Sequence, residues 1–159
     1  MLSLSRNTTT YAPELATSDL YDQDKFYDAF SRDLSRAQRR VVIESPFITM
    51  RRLNALLPAL QRLRRKGVAI VVNTKPLEEH EQLLHDQSMQ AIALLQDMGI
   101  KVLMTVGHHR KLAIIDDDIL WEGSLNILSQ NDSCEFMRRM RSAILTEQMV
   151  RFIGAHKWA

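Results

Sequence analysis

Apolar residues recur at helical spacing from Asp22 onward. Phe26, Phe30, Leu34 and Ala37 follow at intervals of four, four and three, which aligns them on one face. Asp22 and Asp24 precede this stripe and Arg36 lies near its end, as the helix dipole favours. The period then changes. Val41-Val42-Ile43 is a β-branched run that predicts a buried strand, broken by Ser45-Pro46. Leu53, Leu56, Leu57, Leu60 and Leu63 form a second helical stripe of core residues. Pro58 conflicts with one continuous helix, so a short turn and a helix starting near Leu57 are expected.

Gly67 is placed to cap that helix. Val68-Ala69-Ile70-Val71-Val72 predicts a second strand. A helix carrying Leu84, Ala91, Ile92, Leu95 and Met98 follows and ends at Gly99. Ile100 to Met104 predicts a third strand. This strand–helix–glycine rhythm is that of parallel crossovers. Beyond it, Lys111 to Ile115 and Ile119 to Trp121 flank Asp116-Asp117-Asp118, the pattern of a tight hairpin. Phe136 to Met140 predicts one more strand and Ile144 to Trp158 a closing helix. The expected fold is an α/β/α sandwich on a mixed, largely parallel sheet. Residues 1–20 have no period and are rich in Ser, Thr and Asn, so an N-terminal arm is expected before a single domain over 21–159.

Length and composition agree with one domain. At 159 residues and 45% hydrophobic, 25% charged, the chain can bury a full core without staples. One cysteine, Cys134, excludes an internal disulfide and a cysteine-rich zinc site; it reads as a small buried filler. No apolar run reaches the roughly 18–20 residues of a membrane span, and the start lacks the apolar core of a secretion signal. A cytoplasmic protein is expected. The net charge of +2 selects no partner, but its distribution is uneven. Eight Arg or Lys between Arg39 and Lys66 face the single acid Glu44, and Arg138, Arg139 and Arg141 form a second cluster. Such clusters suit a phosphate backbone or a solvated helix end. Aromatic residues are only 6% of the chain, so no stacking platform for single strands is expected.

The chemistry is concentrated in His109-Arg110-Lys111-Leu112-Ala113-Ile114-Ile115-Asp116 and Gly123-Ser124-Leu125-Asn126. On an extended segment His109 and Lys111 project together, with Arg110 and His108 opposite. An imidazole beside a fixed cation suits phosphate: the lysine neutralises the anion while the ring attacks or donates a proton. Gly123, Ser124 and Asn126 supply uncharged donors for the remaining oxygens. Arg110 and Ser45 are further candidates for substrate contact. The triple aspartate reads as a turn rather than a metal site, because no coordinating partners are recognisable. His80 and His85 are expected on a solvated helix face.

The spacing His-x-Lys-x4-Asp, six residues, then Gly-Ser-x-Asn resembles the signature of the phospholipase D superfamily, matched by His109, Lys111, Asp116, Gly123, Ser124 and Asn126. Glu135 falls where several bacterial members carry a glutamate that orients the histidine, and Glu44-Ser45-Pro46-Phe47-Ile48 is similar to the family's opening strand and turn. The resemblance covers about residues 22–158. It implies a metal-independent phosphodiesterase that uses two motif copies around one phosphate, one histidine as nucleophile and the other as acid. It also implies that Asp116 pairs with and orients basic groups. An ordinary imidazole, with a pKa near 6.5, can serve in either state.

No second copy of the motif exists here: His80, His85, His108 and His156 all lack a lysine two residues on. One chain therefore holds half a site, and a symmetric homodimer with facing His109 side chains is expected. A single short motif is similar to the bacterial nuclease branch. The expected activity is DNA cleavage without cofactor, by a lone chain or one fused to or associated with a helicase or DNA-recognition domain. A phospholipid phosphodiesterase and an inactive nucleic-acid-binding module of the same fold are the alternatives.

Overall fold

The computed structural model describes residues 13–158. Its elements are α1 (Pro13–Ala16), β1 (Asp19–Asp22), α2 (Phe26–Arg36), β2 (Arg40–Glu44), α3 (Met50–Arg65), β3 (Ala69–Thr74), α4 (Gln82–Asp97), β4 (Lys101–Met104), β5 (Leu112–Ile115), β6 (Ile119–Gly123), β7 (Phe136–Arg141) and α5 (Ala143–Ile153). A short 3-10 turn, Ala155–Lys157, follows α5, so the expected closing helix is shorter than its apolar pattern.

All seven strands form one sheet in the order β1-β7-β6-β5-β2-β3-β4. Only β2–β3 and β3–β4 pair in parallel; β1–β7, β7–β6, β6–β5 and β5–β2 are antiparallel. The mixed sheet was legible, but "largely parallel" is corrected. The crossover rhythm extends only as far as β4, and the hairpin at Asp116–Asp118 turns the rest of the sheet around. Strand β1 corrects the extent of the arm: Asp19–Asp22 pairs with Phe136–Arg139 at the sheet edge. Its Asp-Leu-Tyr-Asp sequence lacks a strand's alternation because it is mostly exposed and held by backbone pairing. Residues 1–12 of the expected arm lie outside the described residues.

The sheet's two faces carry separate cores, so the sandwich is real but unequal. On one face Val41, Ile43, Ile70, Val72, Ala113, Ile115 and Trp121 pack under α2, α3 and α4. On the other Val42, Leu112, Ile114, Leu120 and Met140 pack under α5. Along β2, β5 and β6 the two sets alternate, as the pleat requires. Helix α3 runs unbroken through Pro58, against expectation. Pro58 and Asn54 share its exposed face, so the carbonyl that loses its partner meets solvent, while Leu53, Leu56, Leu60 and Leu63 stay buried opposite. Thr49 caps the start by accepting from the Arg52 amide at 3.3 Å. No described helix is long and apolar enough to cross a membrane.

Candidate active site

The end of the sheet at which β2 and β3 finish and β5 begins gathers the candidate residues. Register makes this explicit: Glu44 lies opposite Asn73 on one side and Leu112 on the other. The segment from Thr105 to Lys111 crosses this end. It is tied down by the Thr105 amide donating to Thr74 O at 2.9 Å and by the Gly107 amide donating to both carboxylate oxygens of Glu79 at 3.0 Å. Alternation into β5 then separates its side chains. Leu112 joins the α5 core and Ala113 the opposite one. His109 and Lys111 come together as expected: Lys111 Nζ is 2.9 Å from His109 Nδ1 and donates to His109 O at 2.8 Å. An ammonium can only donate, so in this arrangement Nδ1 accepts and the ring proton sits on Nε2.

Burial lowers the Lys111 pKa, the charge of Glu135 opposes that shift, and the charge of Lys75 adds to it. Glu135 is therefore electrostatically coupled to Lys111. Among the described residues no hydrogen bond joins it to His109; its amide donates to Gln23 Oε1 at 3.0 Å. Lys75 was not singled out from the sequence. It follows β3 directly, with its ammonium 4.8 Å from the Phe47 ring centre. A lysine just past the C-terminal end of a parallel strand was the available signal.

After β6 the chain alternates again. Leu125, Ile127 and Leu128 are fully buried and anchor the segment, leaving Ser124 and Asn126 half-buried between them. Ser124 exchanges two bonds with β7: its amide donates to Phe136 O at 3.0 Å, and its Oγ accepts from the Phe136 amide at 3.1 Å. Its hydroxyl proton is left for an incoming oxygen. Asn126 Oδ1 is buried with no hydrogen-bond partner among the described residues. Gly123 permits the contact of β6 with β7, since a Cβ there would overlap the Phe136 carbonyl and sit 2.9 Å from Met137 Cα. His109, Lys111, Ser124, Arg110, Phe136 and Phe152 line one open cleft of about 740 Å³. Arg110 lies 5.6 Å over the Phe152 ring.

Two candidates lie elsewhere, and two other expectations are corrected. Ser45 is fully buried; its hydroxyl donates to Phe47 O at 3.0 Å and accepts from the Leu128 amide at 3.1 Å, which corrects its assignment to substrate. Asp116 sits at the far end of β5, where its carboxylate accepts from the amides of Gln38, Arg39 and Arg40 at 2.8–3.2 Å. It fixes the hairpin and touches nothing at the His109 end. His80 is buried rather than solvated, its ring nitrogens 2.9 Å from Ser88 Oγ and 3.1 Å from Lys75 O. Cys134 is exposed, not a core filler.

Much of the basic stretch serves the fold. Arg39 and Arg40 pair with Asp117, Arg52 donates to Gln130 O and stacks on Tyr27, and Arg64 donates to Met98 O and Val68 O. Arg139 is locked to Asp33. Arg62 and Arg65 lie in the last turn of α3 and Lys66 caps it, at the opposite end of the sheet from His109. Charge at the site comes instead from Lys75, Arg110, Lys111 and Arg138.

The same architecture occurs in solved proteins. A phospholipase D family member, Nuc from Salmonella typhimurium, superposes with a TM-score of 0.70 at 14% identity, covering 86% of this chain and 90% of its own. NucT from Helicobacter pylori gives 0.68 at 21% identity, covering 85% and 91%. TrmBL2, described as an archaeal chromatin protein with a novel mode of DNA binding, gives 0.59 at 10% identity, covering 94% of this chain and 54% of its own. A search of curated proteins finds no match. The family described as "Cardiolipin synthase, PLD-like domain" matches residues 30–152, a span that runs from α2 to α5 and takes in both halves of the motif. With that span, this sheet order and His109 beside Lys111 at its mouth, the chain belongs to the phospholipase D-like domain family.

Proposed function

We propose that this chain is a metal-independent phosphodiesterase that cleaves DNA through a phosphohistidine, at a site shared by two copies. The observation that carries this reading is the pairing of His109 with Lys111 at the mouth of the cleft, with Ser124 on the same lining. A phosphodiester entering here competes for Lys111. The ammonium leaves Nδ1 for a phosphate oxygen, and Nδ1 takes up the ring proton as Nε2 becomes the nucleophile. Nε2 attacks phosphorus, the bond to the leaving oxygen breaks, and that oxygen takes a proton from His109 of the partner subunit. Water then attacks phosphorus, gives its proton back to that second ring, and the P–N bond breaks. Lys111, the Ser124 hydroxyl and the Asn126 amide stabilise the charge that builds on the phosphoryl oxygens. Glu135 offsets the burial of Lys111.

One imidazole cannot be nucleophile and acid in the same step, so the half-site needs a second copy. The surface beside His109 supports that partner: Phe136 and Phe152 are 51% and 74% exposed on the cleft rim. Nucleic acid as substrate is supported by the cations around the cleft. The same apolar rim favours, as a second reading, a phospholipid phosphodiester whose chains lie on Phe136 and Phe152.

The test is cleavage of plasmid DNA and of phospholipid vesicles in EDTA by wild type and His109→Ala. DNA cleavage that persists in EDTA and is lost in the variant is expected. Strict magnesium dependence, or turnover by His109→Ala, refutes the mechanism, and turnover of vesicles alone selects the lipid reading. Light scattering of the active sample is expected to give twice the chain mass; an active monomer overturns the shared site.

A further inference from the structure

Directly behind the His109 site lies a second polar cluster that takes no part in the chemistry above. Glu44, the last residue of β2, is fully buried. Its Oε1 accepts from Asn73 Nδ2 at 3.1 Å, and Asn73 Oδ1 in turn accepts from Thr105 Oγ1 at 2.9 Å. The same Oε1 lies 3.5 Å from an Arg110 guanidinium nitrogen and 3.6 Å from His108 Nε2. Among the described residues, Glu44 Oε2 and both ring nitrogens of the buried His108 have no hydrogen-bond partner. A carboxylate placed like this is costly. Its charge is desolvated, one oxygen is unsatisfied, and an apolar residue could pack against Val42 on the same face without either penalty.

The position of the cluster says what that cost serves. His109 and Lys111 face the cleft, His108 is buried beside Glu44, and Arg110 borders the cleft while one guanidinium nitrogen reaches back to Glu44. The carboxylate thus lies within 3.6 Å of both sequence neighbours of His109, while Asn73 and Thr105 tie it to the start of the same loop. We propose that Glu44 is a positioning residue: acting through His108 and Arg110, it fixes the backbone of His109 so that the ring meets phosphorus in line. This inference rests on the assignment of His109 to the reaction. A displacement of about 1 Å at a reacting group can cost on the order of a hundredfold in rate, which the length of an ion pair readily controls.

The test uses the whole protein and a small substrate, bis(p-nitrophenyl) phosphate, in EDTA. Glu44→Gln keeps the size and an acceptor for Asn73 but removes the charge. It is expected to lower kcat about 10- to 100-fold with KM within about twofold. Glu44→Asp keeps the charge on a shorter arm and is expected to recover part of that loss. Glu44→Gln combined with His108→Gln is expected to cost less than the product of the two single losses, because both act through one contact. Circular dichroism corrects each rate for the folded fraction.

Wild-type kcat in folded Glu44→Gln, strict multiplicativity in the double variant, or a loss that vanishes once the folded fraction is applied overturns the proposal. Should Glu44→Gln fail to fold, Glu44→Asp and His108→Gln carry the same comparison, and unchanged kcat in both overturns it. Turnover by His109→Ala defeats the reading of the site itself; an inert His109→Ala beside an unaffected Glu44→Gln defeats only this inference.

Discussion

Replacing Gly123 with alanine asks one methyl group to occupy space already filled by backbone. The added Cβ overlaps the carbonyl oxygen of Phe136 and lies 2.9 Å from Met137 Cα and from Met137 Sδ. The thioether can move aside, but the carbonyl and Cα belong to β7 and cannot, so β6 and β7 must part. Overpacking of this kind costs about 1–3 kcal/mol. For a chain of this size each kcal/mol moves Tm by about 2–4 °C, so a fall of about 2–12 °C is expected. The displaced carbonyl is the one that holds the Ser124 amide, and Ser124 Oγ is held by the Phe136 amide, so the hydroxyl at the cleft moves with it. Turnover per folded molecule is expected to fall as well. Gly154→Ala is the control. Gly154 has φ +78 with nothing within 4 Å of an added Cβ, and it ends α5. It is expected to lose about 1–2 kcal/mol through the left-handed conformation while keeping turnover per folded molecule. Thermal melts and initial rates decide. A Gly123→Ala protein that melts like wild type, or loses stability but no activity, refutes the account of this glycine.

Activity is expected to fall as pH rises through the lowered Lys111 pKa, because in the proposed reaction the ammonium holds the phosphate. Lys75→Met removes a repelling charge and is expected to move this alkaline limb upward, whereas Glu135→Gln moves it downward; a kcat/KM profile that stays put or moves the other way contradicts the electrostatics. Asp33→Ala strands Trp121 Nε1 and the Arg139 guanidinium, which it accepts from at 2.7–2.8 Å, and is expected to cost about 3–5 kcal/mol in a urea melt; a loss under 1 kcal/mol, roughly the value of an exposed pair, overturns this. Asp116→Ala loses the acceptor for three amides and strains a residue at φ +53, so it is expected to destabilise while leaving turnover per folded molecule unchanged; Asp116→Asn, which tolerates that φ, is expected to be milder.

The strands and helices of the core were legible because each buries one face and its period survives in the sequence. The pairing of His109 with Lys111 was legible for the same reason, as a two-residue alternation running into β5. What failed to show has a common cause: backbone or long-range contacts that leave no local pattern. Strand β1 is held by pairing with β7 rather than by apolar side chains. Helix α3 crosses Pro58 because solvent, not sequence, meets the freed carbonyl. Ser45 looked like a donor beside the motif, but the Leu128 amide, remote in sequence, claims its oxygen. The Arg39–Lys66 stretch looked like a single patch, yet its members face Asp117, Gln130, Met98 and Val68 at separate places. Lys75 and Glu44 reach the site through sheet order, which places the ends of β2 and β3 beside the start of β5.

The antiparallel pairing of β5 with β2 decides more than sheet order. Two near-copies of one chemical pair overlap in this chain: His109 with Lys111, and, one residue earlier, His108 with Arg110. A slip of one residue in the β5–β2 ladder exchanges the faces. It would bury His109 against Glu44 and turn His108 outward in its place. The ladder from Val41 opposite Ile115 to Glu44 opposite Leu112 holds the register that keeps His109 beside Lys111. Four backbone pairs in the middle of the sheet thereby decide which of two adjacent histidines is buried and which stands beside a lysine.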